Sequence, residues 1–262
     1  MRRNICIAVL TVVLAPALTL AQSGFDGTWK MDLKTAKFDT QPQVMLVQNG
    51  MYECKSCTPP TRVQADGIDH AVEGNPYVDA VNVKVLDDRT IVVAAQKKGK
   101  TIGTAKDRVS ADGKTMFVDF TRASTGNRAP VTGHSLLTRV ASGPAGSHAI
   151  SGSWQLAKDT VSENELITTF KVNGNELTMT SPTGPSYTAK LDSTVATYHG
   201  DPGTTNVSVK KIDANTIEET DLRNGKIISV TRMTLLPGGK KMKIASDDKL
   251  HGEHSEVIAI KE

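Results

Sequence analysis

Residues 74–118 read GNPYVDAVNVKVLDDRTIVVAAQKKGKTIGTAKDRVSADGKTMFV, and residues 200–244 read GDPGTTNVSVKKIDANTIEETDLRNGKIISVTRMTLLPGGKKMKI. Aligned without gaps at an offset of 126, about fourteen of the 45 positions are identical. The matches include turn glycines, strand valines and the pair Met116/Met242. Self-similarity at one long offset indicates two copies of a single folding unit.

Each copy of this stretch predicts four consecutive antiparallel strands. Val81, Val83 and Val85 alternate with polar residues, which is the period-2 pattern of a strand with one buried face. Asn224-Gly225 separates two such runs in the second copy, and this dipeptide is a strong hairpin signal because both turn positions need positive φ. Strands joined by short turns form a meander. The sequence therefore predicts an all-β protein.

The flanking sequence extends each copy into a domain of about eight strands. Asn49-Gly50 and Asn173-Gly174 predict one further hairpin in each copy, and helical periodicity is poor throughout. We expect each copy to contribute its own opening strand and to fold as a barrel or a sandwich. The predicted boundaries are a signal peptide at 1–21, a first β-domain at 24–140, a linker at 141–149 and a second β-domain at 150–262.

The first 21 residues predict export. Arg2 and Arg3 precede an apolar run from Ile5 to Leu14, and small residues end at Ala21, the expected cleavage point. A retained membrane anchor is the alternative, although the apolar run is too short to span a bilayer. We expect the mature chain in the periplasm or outside the cell. Because this segment carries two arginines and no acid, its removal lowers the formal net charge from +3 to +1, which argues against a nucleic-acid partner.

The opening of each copy carries the motif Gly-x-Trp, at Gly27-Thr28-Trp29 and Gly152-Ser153-Trp154. This motif resembles the first strand of lipocalin-type calycin barrels, in which the tryptophan plugs the closed end. The resemblance implies a late-strand arginine packed on the tryptophan, a place that Arg139 fits in the first copy. The second copy ends without an arginine. Residues 109–116, VSADGKTM, also resemble duplicated domains of secreted bacterial proteins, a resemblance that implies no activity.

Cys54 and Cys57 form the most informative local motif, and the second copy has no counterpart. An exported protein favours a structural disulfide. A redox-active pair is one alternative, but a low thiolate pKa is usually found at a helix N-terminus, which an all-β chain does not offer. A metal site is the other alternative, and it would need two further ligands.

The remaining polar residues do not predict a catalytic site, so we expect no enzyme, no cofactor and no metal. His251 and His254 would point to opposite faces of a strand, and the His134-Ser135 neighbours diverge in the same way. Acidic residues fall mainly in turns, without an evident pair for acid–base chemistry. The loops Gly74-Asn75-Pro76 and Gly200-Asp201-Pro202 are not followed by the Lys-Ser/Thr or the helix that a phosphate site requires.

Two functional hypotheses remain. The first is a binding protein that holds a small apolar ligand inside one or both barrels. The second is an interaction or structural protein of the envelope, with solid cores and a protein partner. The predicted barrel lining consists of inward-facing apolar residues of the two copies: Val81, Val83, Ile91, Met116, Val118, Val207, Val209, Ile217, Met242 and Ile244.

Overall fold

The structure is a computed structural model that describes residues 23–39 and 41–262, so the predicted signal peptide lies outside the described residues. The described chain is all-β, as predicted, with twenty strands and one short helix, α1 (Glu163–Leu166). No helix among the described residues is long and apolar enough to cross a membrane.

The first ten strands are β1 (Gly27–Asp39), β2 (Gln43–Gln48), β3 (Met51–Cys54), β4 (Thr61–Gln64), β5 (Asp66–Ala71), β6 (Ala80–Asp87), β7 (Thr90–Lys97), β8 (Lys100–Val109), β9 (Thr115–Arg122) and β10 (Val131–Ser142). The second ten are β11 (Gly152–Val161), β12 (Ile167–Asn173), β13 (Glu176–Thr180), β14 (Ser186–Lys190), β15 (Asp192–Thr197), β16 (Asn206–Lys211), β17 (Thr216–Arg223), β18 (Lys226–Leu235), β19 (Lys241–Asp248) and β20 (Glu253–Lys261).

These strands form two ten-stranded antiparallel sheets that do not coincide with the two repeats. One sheet has the order β4-β3-β2-β11-β10-β9-β8-β7-β6-β5, and the other has the order β14-β13-β12-β1-β20-β19-β18-β17-β16-β15. Each repeat therefore places its Trp-bearing first strand in the sheet built from the other repeat. We call the sheet with β2–β11 the first barrel and the sheet with β1 and β12–β20 the second barrel.

The exchange corrects the expectation that each repeat keeps its own opening strand, and chain connectivity explains it. Strands β10 and β11 are separated by only nine residues, 143–151, so they pair directly as an antiparallel hairpin. The N-terminal strand β1 pairs on one side with the C-terminal strand β20 and on the other with β12. The sequence pattern is the same whichever sheet receives the strand.

Both sheets curl so that their edge strands approach each other. In the second barrel, Ser186 and His199 form an isolated bridge between the regions of β14 and β15, with N···O distances of 3.0 and 2.9 Å. The strand count exceeds the predicted eight, chiefly because the short β5 and β15 lack a clear period-2 pattern. Apolar side chains of each sheet fill one core cluster per barrel.

Trp29 and Trp154 occupy equivalent buried positions, as predicted. Their exposed fractions are 1% and 0%, and each indole N–H donates to the carbonyl oxygen four residues earlier, Phe25 O and Ile150 O, at 2.8 Å. Arg139 packs on a tryptophan, but on Trp154, with its guanidinium carbon 3.9 Å from the ring centroid. In the second barrel, Lys261 stands over Trp29 at 5.3 Å. The cation and the tryptophan thus come from opposite repeats at both sites.

The predicted hairpin turns and the disulfide are present. Asn49, Lys98 and Asn224 have φ near +50°, and each is followed by a glycine with φ of 70–78°. Cys54 and Cys57 are bonded, which closes the connection that follows β3.

Candidate ligand site in the second barrel

The second barrel contains a partly open cavity of about 270 Å³ beside Trp29. Apolar side chains from the strands surround it, including Phe170 from β12 and four methionines, one of which is Met31 from β1. Methionine fits irregular ligand surfaces because its side chain is flexible and polarizable. The volume lies just below the range of roughly 300–1,000 Å³ typical of sites for drug-sized molecules. It is therefore suited to a small ligand.

The cavity reaches the end of the barrel that faces the first barrel. Glu165, Ser181, Thr183 and Pro185 line this part, and they lie in α1 and in the turn between β13 and β14. Strand registers place this turn and the connection 198–205 at the same end. Hydroxyl groups and a carboxylate therefore replace the hydrocarbon that surrounds Trp29.

Residues of the first barrel close over this end. Arg122 pairs with Glu165 at 2.5 Å, and the N–H of Thr125 donates to Thr183 O at 2.9 Å. Tyr77 packs so closely on Gly203 that a Cβ there would lie 1.8 Å from the tyrosine oxygen. Gly203 thus permits an approach that another residue would block. Access to the cavity depends on both barrels.

Strand β17 projects two carboxyl groups into the second barrel. Glu219 lines the cavity, and Asp221, two residues along the same strand face, lies within hydrogen-bonding reach of it. Tyr187, which is 2% exposed, donates its hydroxyl hydrogen to Glu219 Oε2 at 2.5 Å. The hydroxyl of Ser229 donates to Asp221 Oδ2 at 2.8 Å. Among the described residues, Asp221 Oδ1 is enclosed and has no hydrogen-bond donor.

Burial favours the protonated form of both carboxyl groups of this pair. Burial raises the pKa of Glu219, and the neighbouring Asp221 carboxylate raises it further, to about 8. Burial also raises the pKa of Asp221, while the Ser229 hydroxyl opposes that rise. Because Glu219 lines the cavity, its carboxyl group is open to a ligand there.

The expectation that no acidic pair exists is therefore wrong. The available signal was the alternation along β17: Ile217 faces inward, so Glu219 and Asp221 must share its face. At the repeat offset, the first barrel has Val93 and Ala95 at these two places. The comparison between copies thus marks the acids as additions to the scaffold.

All ten predicted lining residues lie in the two cores. Seven of them, including Val83 in the first barrel and Val207 in the second, are at most 1% exposed and pack against other core side chains. Of the ten, Met242 and Ile244 also line the 270 Å³ cavity. The structure therefore brings two of the predicted residues to the cavity, while ligand binding by the rest stays a prediction.

The first barrel also buries a carboxyl group. Asp107 is 6% exposed, and burial raises its pKa to about 6. The nearby Tyr52 hydroxyl lies 3.7 Å from Met45 Sδ. No second carboxyl group in the described part of the chain contributes to this rise in pKa, so Asp107 does not form a counterpart of the Glu219–Asp221 pair.

A larger cleft of about 1010 Å³ lies between the exchanged strands β1 and β11. Three lysines and three acids line it together with exposed apolar side chains such as Phe38. Because the charges balance and the cleft is open, it does not select a ligand of particular chemistry.

The histidines lie outside both cavities. His251 pairs with Asp248 at 2.6 Å and His254 with Asp247 at 2.8 Å, so each has its own carboxylate. His134 pairs with Asp119, whereas Ser135 donates to Asp159. Within residues 23–39 and 41–262, no three His, Cys, Asp or Glu side chains are grouped to hold a metal ion. The absence of catalysis stays a prediction.

Comparison with known proteins does not assign a family: no protein-family model matches the chain, and no curated protein matches it. The fold and the cavity define the chain as a protein with two nearly closed antiparallel β-barrels, one of which contains a small, partly polar cavity.

Proposed function

We propose that this protein is an exported, non-catalytic binding protein that holds one small ligand with an apolar body in the second barrel. The single observation that carries the proposal is the cavity of about 270 Å³ lined by Trp29, Phe170 and methionines. Small barrels commonly fill their interior with side chains, so retained apolar volume next to polar groups supports ligand binding. The likeness to lipocalins is part of the proposal and depends on the Gly-x-Trp motifs and the barrel-like sheets.

The test is native mass spectrometry of the mature chain purified from its own host. We expect a copurified small molecule at one equivalent per chain. Met179→Trp should displace it by filling the cavity, because Met179 lines the cavity wall. Met116→Leu, in the first barrel, is the control for a core substitution of similar type and should retain the ligand.

A chain that carries no ligand and binds no small apolar probe would contradict the proposal. The envelope interaction hypothesis would then take its place, with the barrels acting as solid scaffolds.

A further inference from the structure

Glu219 is a polar part of the cavity lining that an entirely apolar ligand leaves unused, and Asp221 lies beside it. No lysine or arginine of the described chain pairs with either carboxyl group. The groups that face them are Tyr187 from β14, Tyr198 from the connection after β15 and Ser229 from β18, with Asp201 also near Asp221. Thr231 of β18 also lines the cavity as the cross-strand partner of Glu219, and its hydroxyl lies 2.6 Å from that of Ser246 on β19. Apolar side chains of β16 and β19 complete the surroundings.

The cations at this end of the barrel are committed to other partners. Arg122 pairs with Glu165, and Arg223 donates to Gly203 O at 2.5 Å. The end of the cavity therefore supplies tyrosine and serine hydroxyls to the acids, and no positive charge.

The scaffold does not require this acidic pair. The first barrel builds the same strand with Val93 and Ala95, and its register with the neighbouring strands is equivalent. Burying ionised carboxyl groups without a cation is unfavourable, because they lose their hydration and gain no opposite charge. The acidic pair is energetically unfavourable, the first barrel lacks it, and it lies beside a cavity. Together these facts point to a ligand whose positive charge offsets the cost of burying the two carboxyl groups.

We propose that the ligand of the second barrel carries a protonated basic nitrogen, bound by Glu219 at the cavity wall with Asp221 behind it. This inference rests on the binding function proposed above. The aromatic faces of Trp29, Phe170 and Tyr198 line the same cavity, and aromatic faces attract cations. The methionines then surround the apolar part. The ligand class is a small primary or secondary amine with a hydrocarbon body.

Binding of such an amine releases a proton. Without a ligand at neutral pH, the raised pKa of Glu219 keeps most of one proton on the pair. When the ammonium group approaches, it favours the ionised pair, and the retained proton leaves to solvent. The charge then balances, since one bound cation replaces one bound proton. Affinity should therefore rise with pH, by at most about tenfold per pH unit, until the pair is fully ionised without ligand.

The experiment compares hexylamine with 1-hexanol, which has the same chain length without the charge. Isothermal titration calorimetry of the full mature chain at pH 6, 7 and 8, in two buffers of different ionisation enthalpy, measures affinity and proton release together. We expect hexylamine to bind at least tenfold more tightly than 1-hexanol at pH 8, with proton release at pH 7. Binding of 1-hexanol should not change with pH.

Three variants isolate the acids. Glu219→Gln should weaken hexylamine binding at least tenfold and abolish proton release, while 1-hexanol binding is retained and shows that the barrel is folded. Glu218→Gln is the matched control, because Glu218 directly precedes Glu219 on β17 and pairs with Arg232 at 2.6 Å on the outer face. It should change neither affinity. Asp221→Asn should retain hexylamine binding and shift its pH dependence to lower pH, since it removes the repulsion that raises the pKa of Glu219.

The outcomes separate the two proposals. If 1-hexanol binds as tightly as hexylamine at pH 8, or if Glu219→Gln leaves hexylamine binding unchanged, the amine proposal is wrong and the binding function stands. If neither probe binds and no ligand copurifies, both proposals fail together.

Discussion

At the scale of single residues, Trp29 and Trp154 are packed equivalently, but only Trp29 lines the cavity of the second barrel. Each stabilises the barrel that the other repeat builds, and Trp29 also lines the cavity. A substitution in the first repeat should therefore affect a binding site made mostly of the second.

This asymmetry gives a first prediction. Trp29→Ala should destabilise the second barrel by about 3–5 kcal/mol, as is typical for truncating a buried aromatic residue, and should abolish binding of 1-hexanol there. Trp154→Ala should cost a similar amount in the first barrel and leave binding intact. Guanidinium denaturation and calorimetry measure the two effects. Loss of binding in Trp154→Ala alone would contradict the strand exchange.

At the scale of elements, the β7–β8 and β17–β18 hairpins are the same turn with different residues. Lys98 and Asn224 both adopt φ near +50° before a glycine. Asparagine tolerates this region better than lysine, because its short polar side chain bonds to nearby backbone.

The second prediction exchanges these two residues. Lys98→Asn should stabilise the protein by up to about 1 kcal/mol, and Asn224→Lys should destabilise it by a similar amount. Urea denaturation of the two single variants and the double variant measures both changes, and the double variant should return close to the original stability. Equal signs for the two single variants would show that the turns are not equivalent.

The third prediction concerns the Cys54–Cys57 bridge on the first barrel. Its loop spans only four residues, so its loss should cost at most about 2 kcal/mol in the chain-entropy model. Replacing both cysteines with serine and measuring urea denaturation tests this, with thiol titration of the unreduced parent finding neither Cys54 nor Cys57 free. A thiol–disulfide exchange activity that disappears in this variant would contradict the prediction that the protein is not an enzyme.

At the scale of the whole molecule, buried acids set how stability responds to pH. The pKa of Glu219 rises to about 8 from an ordinary value near 4.5, and that of Asp107 rises to about 6 from 3.8. In both cases, the folded chain binds more protons than the unfolded chain between the two values. Stability contributed by the neutral form is therefore present at low pH and lost as pH rises.

The fourth prediction follows from that sign. The midpoint of thermal unfolding should fall as pH rises from about 5 to 8, the window between the ordinary and raised pKa values of these groups. Glu219→Gln should flatten the upper part of this dependence and Asp107→Asn the lower part. The lowered pKa values of exposed aspartates such as Asp66 and Asp112 act only at more acidic pH. Calorimetric scans across this range, with Glu218→Gln as control, make the measurement. A midpoint that rises through the window would show that the acids are ionised and paired.

Sequence reasoning reached the strands because local patterns encode them. Val81 and Val83 alternate with polar residues, Asn224-Gly225 encodes its turn, and the repeat doubles each signal. The acidic pair was not predicted, although the alternation along β17 places Glu219 and Asp221 on one face. Ile217 marks that face, so the pair was within reach of the pattern.

By itself, the sequence determined the all-β class, the duplication, the equivalent burial of the two tryptophans and the Cys54–Cys57 pair, because each depends on local periodicity or on residues close in the chain. Only the tertiary structure decided which sheet each Trp strand joins, that Arg139 packs on Trp154, and that Tyr77 and Arg122 close over the cavity of the other barrel. The two copies present nearly the same strand edges and the same inward apolar faces. Pattern alone therefore cannot distinguish pairing within a repeat from pairing between repeats, and the short connection from β10 to β11 together with closure of β1 on β20 selects the exchanged arrangement.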